Sequence, residues 1–351
     1  MRPELSAIVV NHLSAAEAEG CVASLAQAFA LEGIAGEILL VDCGSGEPER
    51  EKLAGIPADV HVLLEENRGY SGGVNAGLAR ARSDRLLLTN ADVVFLPGSV
   101  SGLLGAIEDR RVGAAAPLAV WDRDGRIRLP PGFAPGFFRD LSQLLPGRFP
   151  ARDDRRFASF ARETLRLWEQ GGAARHLSGA VLAARREVFD RAGRFDERFP
   201  FEYEETEWEE RVRRAGLELL FAPRARVRHL WAVSASRSPG VASRRAVSAR
   251  VYRERRYGPL GRAILERAGR RAPARVGARK IPRPSLPALP GASVAISPNP
   301  SRMPFAAADL ERDFLLPEEI VSSLPAGTLF FTVFGNRDGR PLETCSWEKP
   351  A

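Results

Sequence analysis

The chain has 351 residues, 44% of them hydrophobic and 27% charged, with a formal net charge of +7. That length and apolar content suffice for one large α/β domain or two domains and exclude a disordered chain or a disulfide-stapled mini-protein. Only three of the 51 basic residues are lysines (Lys52, Lys280, Lys349), and the excess is local: Arg224–Arg283 holds 18 basic and two acidic residues, so that segment is +16 and the rest is −9.

Cys21, Cys43 and Cys345 are scattered and odd in number, which suits free thiols in a reducing compartment. Met1–Val10 lacks the apolar stretch and small-residue cleavage site of a signal peptide. Nowhere do about 18 apolar residues run together, as a membrane-spanning helix requires. The expected location is the cytoplasm.

In chain order, Leu5–Val10 reads as a buried strand, Ser14–Phe29 as a helix with Ser14 available as N-cap, and Glu37–Val41 and Val60–Leu64 as strands. Ser71–Arg82 then reads as a helix and Arg85–Thr89 as a strand. Apolar strands alternating with helices predict a parallel sheet covered on both faces, with ligands at the carboxyl ends of its strands. Those ends are polar: Asn11 follows the first strand, Asp42 ends the second, Glu65–Asn75 follows the third and Asn90-Ala91-Asp92 the fourth. No glycine follows Val10 until Gly20, which removes the main support for a dinucleotide-binding turn.

Glycines gather instead in Asn67–Gly77, where Gly69, Gly72 and Gly73 either bring a helix N-terminus close to a diphosphate or let the helix pack closely on the sheet. Residues two apart leave a strand on one side, so Asn90 and Asp92 are expected to face one ligand, as a hard cation between phosphates requires. An Asx turn is the alternative for that pair. Between about Trp121 and Gly172 lie a Pro/Gly/Phe loop (Pro130–Phe138) and a charged helix, Asp153–Gln170.

The acidic run Tyr203–Arg211 places Glu207 with Arg211 and Glu210 with Arg214 at i,i+4, so Glu209 and Glu210 read as a solvated helix face. His229 ends an apolar strand; Trp168, Trp208 and Trp231 read first as packing residues. Helix-forming stretches follow at Arg244–Tyr257 and Leu260–Arg271. Pro282–Pro300 reads as a linker and Ala306–Pro350 as a small β-rich appendage.

Over roughly residues 5–235 the chain resembles family 2 glycosyltransferases of the GT-A fold, in their rhamnosyltransferase-like branch. Ser6–Asn11 looks like the opening strand, Leu39–Asp42 the base-binding strand end, Asn67–Asn75 the glycine-rich segment and Asn90-Ala91-Asp92 the metal motif. Ser178–Arg186, Gly193–Phe199, the acidic run and Arg226–His229 supply the second half of the pattern. Glu205 and Glu207 stand where the family usually has aspartates, and the extra methylene moves each carboxylate by about 1 Å.

The resemblance implies an α/β, mostly parallel GT-A catalytic domain over 1–236; composition and pattern add a basic helical segment (237–281), the linker (282–300) and the appendage (301–351). It implies a nucleotide-diphospho-sugar donor held by Asn11, Asp42, Asn67, Gly69, Gly72, Gly73, Asn75 and Asn90, and Mg²⁺ or Mn²⁺ on Asp92 and His229. Glu205 would be the general base of an inverting transfer to a cell-envelope or lipid-linked glycan, with Glu207 a second catalytic position. The basic tract then fits an anionic membrane surface better than nucleic acid, since no stacking platform accompanies it. A weakly active nucleotide-sugar-binding scaffold is the alternative, and a nucleotidyltransferase of similar fold leaves the second block of motifs unexplained.

Overall fold

Leu5–Val10 has no polar alternation, so it cannot sit with one face in water. In the computed structural model, which describes residues 2–145, 148–230, 240–270 and 277–350, it becomes the interior of β1 (Leu5–Asn11), with a parallel partner on each side. The elements then run α1 (Ala15–Glu32), β2 (Gly36–Cys43), α2 (Glu47–Ala54), β3 (Val60–Leu64), α3 (Gly69–Arg80), β4 (Arg85–Asn90), β5 (Val93–Phe95), α4 (Ser99–Ala106) and β6 (Val112–Val120). After α5 (Phe137–Leu144) and α6 (Pro150–Gln170) come β7 (Gly172–Ala174), β8 (Val181–Arg185), α7 (Arg186–Ala192), α8 (Glu204–Arg214) and β9 (Glu218–His229).

The strand order is β3-β2-β1-β4-β8-β6-β9-β5, with β7 on β9. β3, β2, β1 and β4 are parallel, which brings their carboxyl ends to one edge. β8 is antiparallel to β4, and β9 is antiparallel to β5. The two faces of β1 divide by pleat. Leu5, Ala7 and Val9 join Val22 and Leu25 of α1 and Val100 and Leu103 of α4 in one cluster, where each large aliphatic side chain contributes about 1.5–3 kcal/mol by burial.

On the other face lies α3, and there glycine is required. A Cβ on Gly77 would stand 2.4 Å from Ile8 Cγ2, and one on Gly73 2.6 Å from Val10 Cγ1 and 2.7 Å from Cys43 Sγ. Ser14 is the N-cap residue of α1, but its hydroxyl donates to Asn11 instead of capping the helix.

The chain divides into two compact units, Met1–Ala119 with Gly171–Arg255 and Val120–Gln170 with Arg256–Ala351. The second holds a five-stranded sheet, in chain order β10 (Arg279–Lys280), β12 (Ala292–Ser297), β13 (Ala306–Asp309), β15 (Gly327–Gly335) and β16 (Pro341–Lys349), arranged β10-β16-β15-β12-β13. A ribbon of β11 (Ser285–Leu286) and β14 (Phe314–Leu315) accompanies it. Phe157 and Phe160 of α6 pack on Phe305 at 5.2 and 5.1 Å between ring centroids, and Phe157 meets Phe334 at 5.6 Å. Arg128 and Ala307 exchange backbone hydrogen bonds at 2.8 and 2.9 Å.

Residues 282–300, expected as a linker, instead contain β11 and β12. β12 lies inside the sheet with every residue buried; its small side chains (Ala292, Ser293, Ala295) and proline-rich flanks concealed a core strand. The helix α9 (Val241–Gly269) covers the expected stretch Arg244–Tyr257 and most of Leu260–Arg271, whose last residue lies outside the described ones, and is interrupted at Gly258 (φ 69°), before Pro259. The expected boundary at 236/237 lies outside the described residues, as do 271–276. No helix of the described residues is long and apolar enough to cross a membrane.

Candidate active site

Register sets Asn11 beside Asp42 at the strand edge. Asn11 Nδ2 donates to Asp42 Oδ1 at 3.0 Å, and Asp42 also accepts the Ser45 hydroxyl at 2.5 Å and the Ser45 N–H at 3.1 Å. Both side chains are buried, so they shape the edge as much as they present it. His12 is fixed next to them: the Cys43 carbonyl lies 2.8 Å from Nδ1 and Asn67 Nδ2 lies 3.0 Å from Nε2. That network assigns the proton to Nδ1. Burial lowers the ring below its ordinary value, so it is neutral at physiological pH.

Asn11, His12, Asn67 and Gly69 line one cavity of about 80 Å³, which Pro200, Phe201 and Arg244 close from the other side. Gly69 opens α3 with φ +68°, and a Cβ there would stand 2.6 Å from the Pro200 carbonyl oxygen. The helix starts two residues earlier than expected, which puts Gly72 and Gly73 inside it; the Gly72 amide is spent on Arg68 O at 3.3 Å. Asn75 faces elsewhere and donates to Phe195 O at 2.9 Å and Glu197 Oε1 at 3.0 Å. The structure thus gathers Asn11, Asp42, Asn67 and Gly69, and leaves Gly72, Gly73 and Asn75 to packing and loop attachment.

At the end of β4, Asn90 donates its backbone N–H to Ala180 O at 3.0 Å. Two residues on, the pairing of Val93 with His229 brings the β9 terminus to Asp92. His229 Nε2 lies 3.3 Å from Asp92 Oδ1, both side chains are buried, and Leu230 N–H donates to Asp92 O at 2.9 Å. A carboxylate oxygen and an imidazole nitrogen converging in a dry site fit a divalent cation as donors. Among the described residues no group of three or more His, Cys, Asp or Glu is placed to hold a metal ion by itself.

The acidic run begins under strain. Glu202 and Tyr203 both have positive φ (62° and 70°), immediately before the first turn of α8, and such outliers concentrate at functional sites. Glu205 packs its stem on Gly179, where a Cβ would stand 3.1 Å away. Its carboxylate accepts no side-chain hydrogen bond among the described residues and lies 3.8 Å from His176 Nε2. Burial pushes this carboxyl up and the His176 charge pulls it back. Glu204 is also pushed well up by burial, and its Oε2 has no hydrogen-bond partner among the described residues.

Glu207 has a different setting. Arg211 grips it through Nε (3.0 and 2.9 Å) and Nη2 (2.8 Å), and Arg255 Nη2 adds a contact at 3.0 Å. Arg211 also donates to the carbonyls of Ala192 and Arg194. Glu210 keeps its expected i,i+4 pair with Arg214 at 3.0 Å and is partly buried, whereas Glu209, expected beside it on a solvated face, is not there. Glu209 is fully buried against His176 and the Leu177 N–H, and Glu210 accepts the Tyr252 hydroxyl at 2.7 Å. Trp208 stacks on Phe189 and Phe195, as a packing residue. Trp231 lies outside the described residues.

The family model described as Glycosyl transferase family 2 matches residues 6–190, more than half of the chain. The chain belongs to this family. It is a glycosyltransferase of the GT-A fold, similar to rhamnosyltransferases. The N-acetylglucosaminyl-diphospho-decaprenol L-rhamnosyltransferases of two Mycobacterium tuberculosis strains, CDC 1551 / Oshkosh and H37Rv, are each 30% identical over 215 residues, 58% of this chain and 69% of the relative.

Two solved structures are also similar over 76% of this chain. GalNAc-T7 with UDP, GalNAc and Mn²⁺ has a TM-score of 0.47 at 17% identity, with 54% of its own chain covered. The mannosyltransferase PcManGT of Pyrobaculum calidifontis with GDP-Man and Mn²⁺ has a TM-score of 0.46 at 16% identity, with 74% covered.

His176 and Glu209 escaped the sequence reading. They are 33 residues apart, on a loop and a helix, and no local spacing rule joins them.

Proposed function

We propose that the chain is an inverting, divalent-metal-dependent glycosyltransferase. It moves a sugar, rhamnose by analogy with its relatives, from a nucleotide-diphosphate donor such as dTDP-rhamnose to a lipid-linked or cell-envelope glycan. The observation that carries the reading is the Asp92–His229 pair, 3.3 Å apart at the edge where the strands end. Those two residues would hold Mg²⁺ or Mn²⁺, which when bound neutralises charge on the departing diphosphate.

The chain's own residues do the rest. Asn11, His12 and Asn67 offer hydrogen-bonding edges to the nucleotide in their cavity. Glu205 takes the proton of the acceptor hydroxyl as its oxygen attacks the anomeric carbon from the face opposite the leaving group, so the configuration inverts. Glu207 acts through Arg211 and Arg255, holding α8 so that Glu205 stays in place. The arginines of 237–283 would meet an anionic membrane surface where a lipid-linked acceptor resides.

Calorimetry with UDP, dTDP and GDP, each with and without Mn²⁺, on the wild type and Asp92→Ala, tests the donor site. Tight binding of one nucleotide that needs both metal and Asp92 is expected; metal-independent binding unaffected by Asp92→Ala defeats the metal reading. Glu205→Gln retaining turnover defeats the base assignment.

A further inference from the structure

Glu205 and Glu209 stand one helical turn apart on α8, so their side chains leave the same face, one above the other. Like charges at this spacing repel, and in a buried setting the repulsion is not screened. Left alone, such a pair is pushed towards holding a proton, and a protonated Glu205 cannot take another. The structure puts a third group between them.

His176 comes from the loop between β7 and β8, its side chain 8% exposed. Its Nδ1 is hydrogen-bonded to Glu209 Oε2, and its Nε2 faces Glu205 Oε1 at 3.8 Å. Glu209 is itself anchored by the Leu177 N–H at 3.1 and 3.3 Å. The loop is tied down from α3 as well, where the Tyr70 hydroxyl donates to Gly179 O at 3.0 Å. A ring clamped at one nitrogen by a buried carboxylate, with the other nitrogen aimed at the group to be tuned, has the orienting geometry of catalytic imidazole–carboxylate couples.

We propose that His176, clamped by Glu209, is a positioning residue for Glu205: an imidazolium shared by two carboxylates that keeps Glu205 ionised at neutral pH and sets the acid limit of turnover. The inference rests on the assignment of Glu205 as base. In the transfer, the acceptor O–H bond breaks and its proton goes to Glu205, the O–C1 bond forms, and the C1–O bond to phosphate breaks with its electron pair leaving on the diphosphate. His176 is not consumed; its charge makes Glu205 an anion before the acceptor arrives.

The charged surroundings agree in sign. His176 faces Glu205, Glu209 and Arg213 of α8; burial works against its charge, and the two carboxylates outweigh burial and raise it above the ordinary histidine value. Around Glu205, burial, Glu209 and Glu202 all push the carboxyl up. His176, together with the Glu205 backbone N–H, pulls it down. Tyr70, the titratable group that faces Glu204 and Glu205 from α3, is pushed up by burial and adds no charge.

The test is a ¹³C NMR titration of glutamate carboxyls in the full chain, with the Glu205 resonance assigned from Glu205→Gln. An opposite charge within about 4–6 Å lowers a carboxyl by about 1–3 pH units, so His176→Gln should raise the Glu205 midpoint by that amount. The pH profile of dTDP release from dTDP-rhamnose with Mn²⁺ should move up by the same interval, and Glu209→Gln added to His176→Gln should bring both back down in part. If His176→Gln does not fold, Glu209→Gln alone reads the clamp: the His176 ring should then titrate lower than in the wild type.

A Glu205 midpoint unmoved in folded His176→Gln, or a His176 midpoint unmoved in Glu209→Gln, overturns the inference. Were Glu205→Gln inactive in that case, the base assignment would survive without it. Turnover by Glu205→Gln would remove the base assignment and the inference together.

Discussion

Replacing Glu207 by alanine should cost stability and leave the chemical step largely intact. The carboxylate is 3% exposed and held by Arg211 and Arg255. Removing one partner of a buried ion pair costs about 3–5 kcal/mol, mostly because a desolvated charge is left behind. Here the survivors keep some water, since the Arg211 side chain is 20% exposed and that of Arg255 43%. The lower end, about 3 kcal/mol, therefore applies.

In a unit of about 200 residues, each kcal/mol moves Tm by about 2–4 °C, so a fall of about 6–12 °C is expected. Urea unfolding followed by fluorescence of Trp208, one residue away and fully buried, reports the same loss as a lower midpoint. Turnover measured well below that midpoint should stay within about tenfold of the wild type, less than the ~10²–10⁴-fold contribution of a group that transfers the proton itself. A Tm unchanged within about 1 °C combined with abolished turnover would refute this reasoning and put Glu207 among the reacting groups.

Gly77→Ala should destabilise the protein by about 1–3 kcal/mol through its clash with Ile8, and the same change in an Ile8→Ala background should stabilise by up to about 1 kcal/mol, as Ala replaces Gly in a helix with the space now open; urea denaturation of the four proteins reads both signs. His12, whose folded value is lowered by burial, takes up its proton more readily in the unfolded chain. Stability should thus fall as pH drops through the ordinary histidine value of 6.5, and His12→Asn should flatten that slope in thermal melts. The Cys43 thiol, pushed up to about 12 by burial, should resist iodoacetamide in the native protein and react once urea unfolds it.

What the sequence disclosed followed from strong local patterns. Leu5–Val10 and Leu86–Leu88 are too apolar to be anything but core strands beside good helix formers, so the parallel sheet and its polar edge were readable, as was Asp92 within its motif. Less was readable where two causes share one residue type. Gly73 and Gly77 pack on the sheet, but glycine alone does not separate packing from ligand approach, and the neighbouring motifs pointed to the ligand. β12 was hidden because its alanines and serines lack the bulk by which a core strand is noticed. The clamp on Glu205 is a tertiary event. His176 and Glu209 meet only because β7, β8 and α8 fold as they do, and burial turned an apparently solvated helix face into a polar interior.

The second unit draws its chain from two separate stretches, Val120–Gln170 and Arg256–Ala351. Phe157 and Phe160 are synthesised about 145 residues before the Phe305 that covers them. On the ribosome α6 must therefore wait with its aromatic face uncovered while the rest of the chain emerges, a window in which a chaperone or a neighbouring nascent chain competes for it. Truncation after Arg255 would make that wait permanent: what looks like a dispensable tail supplies the Phe305 and Phe334 that pack on the insert's Phe157, and a shortened gene product should precipitate rather than persist as a smaller enzyme.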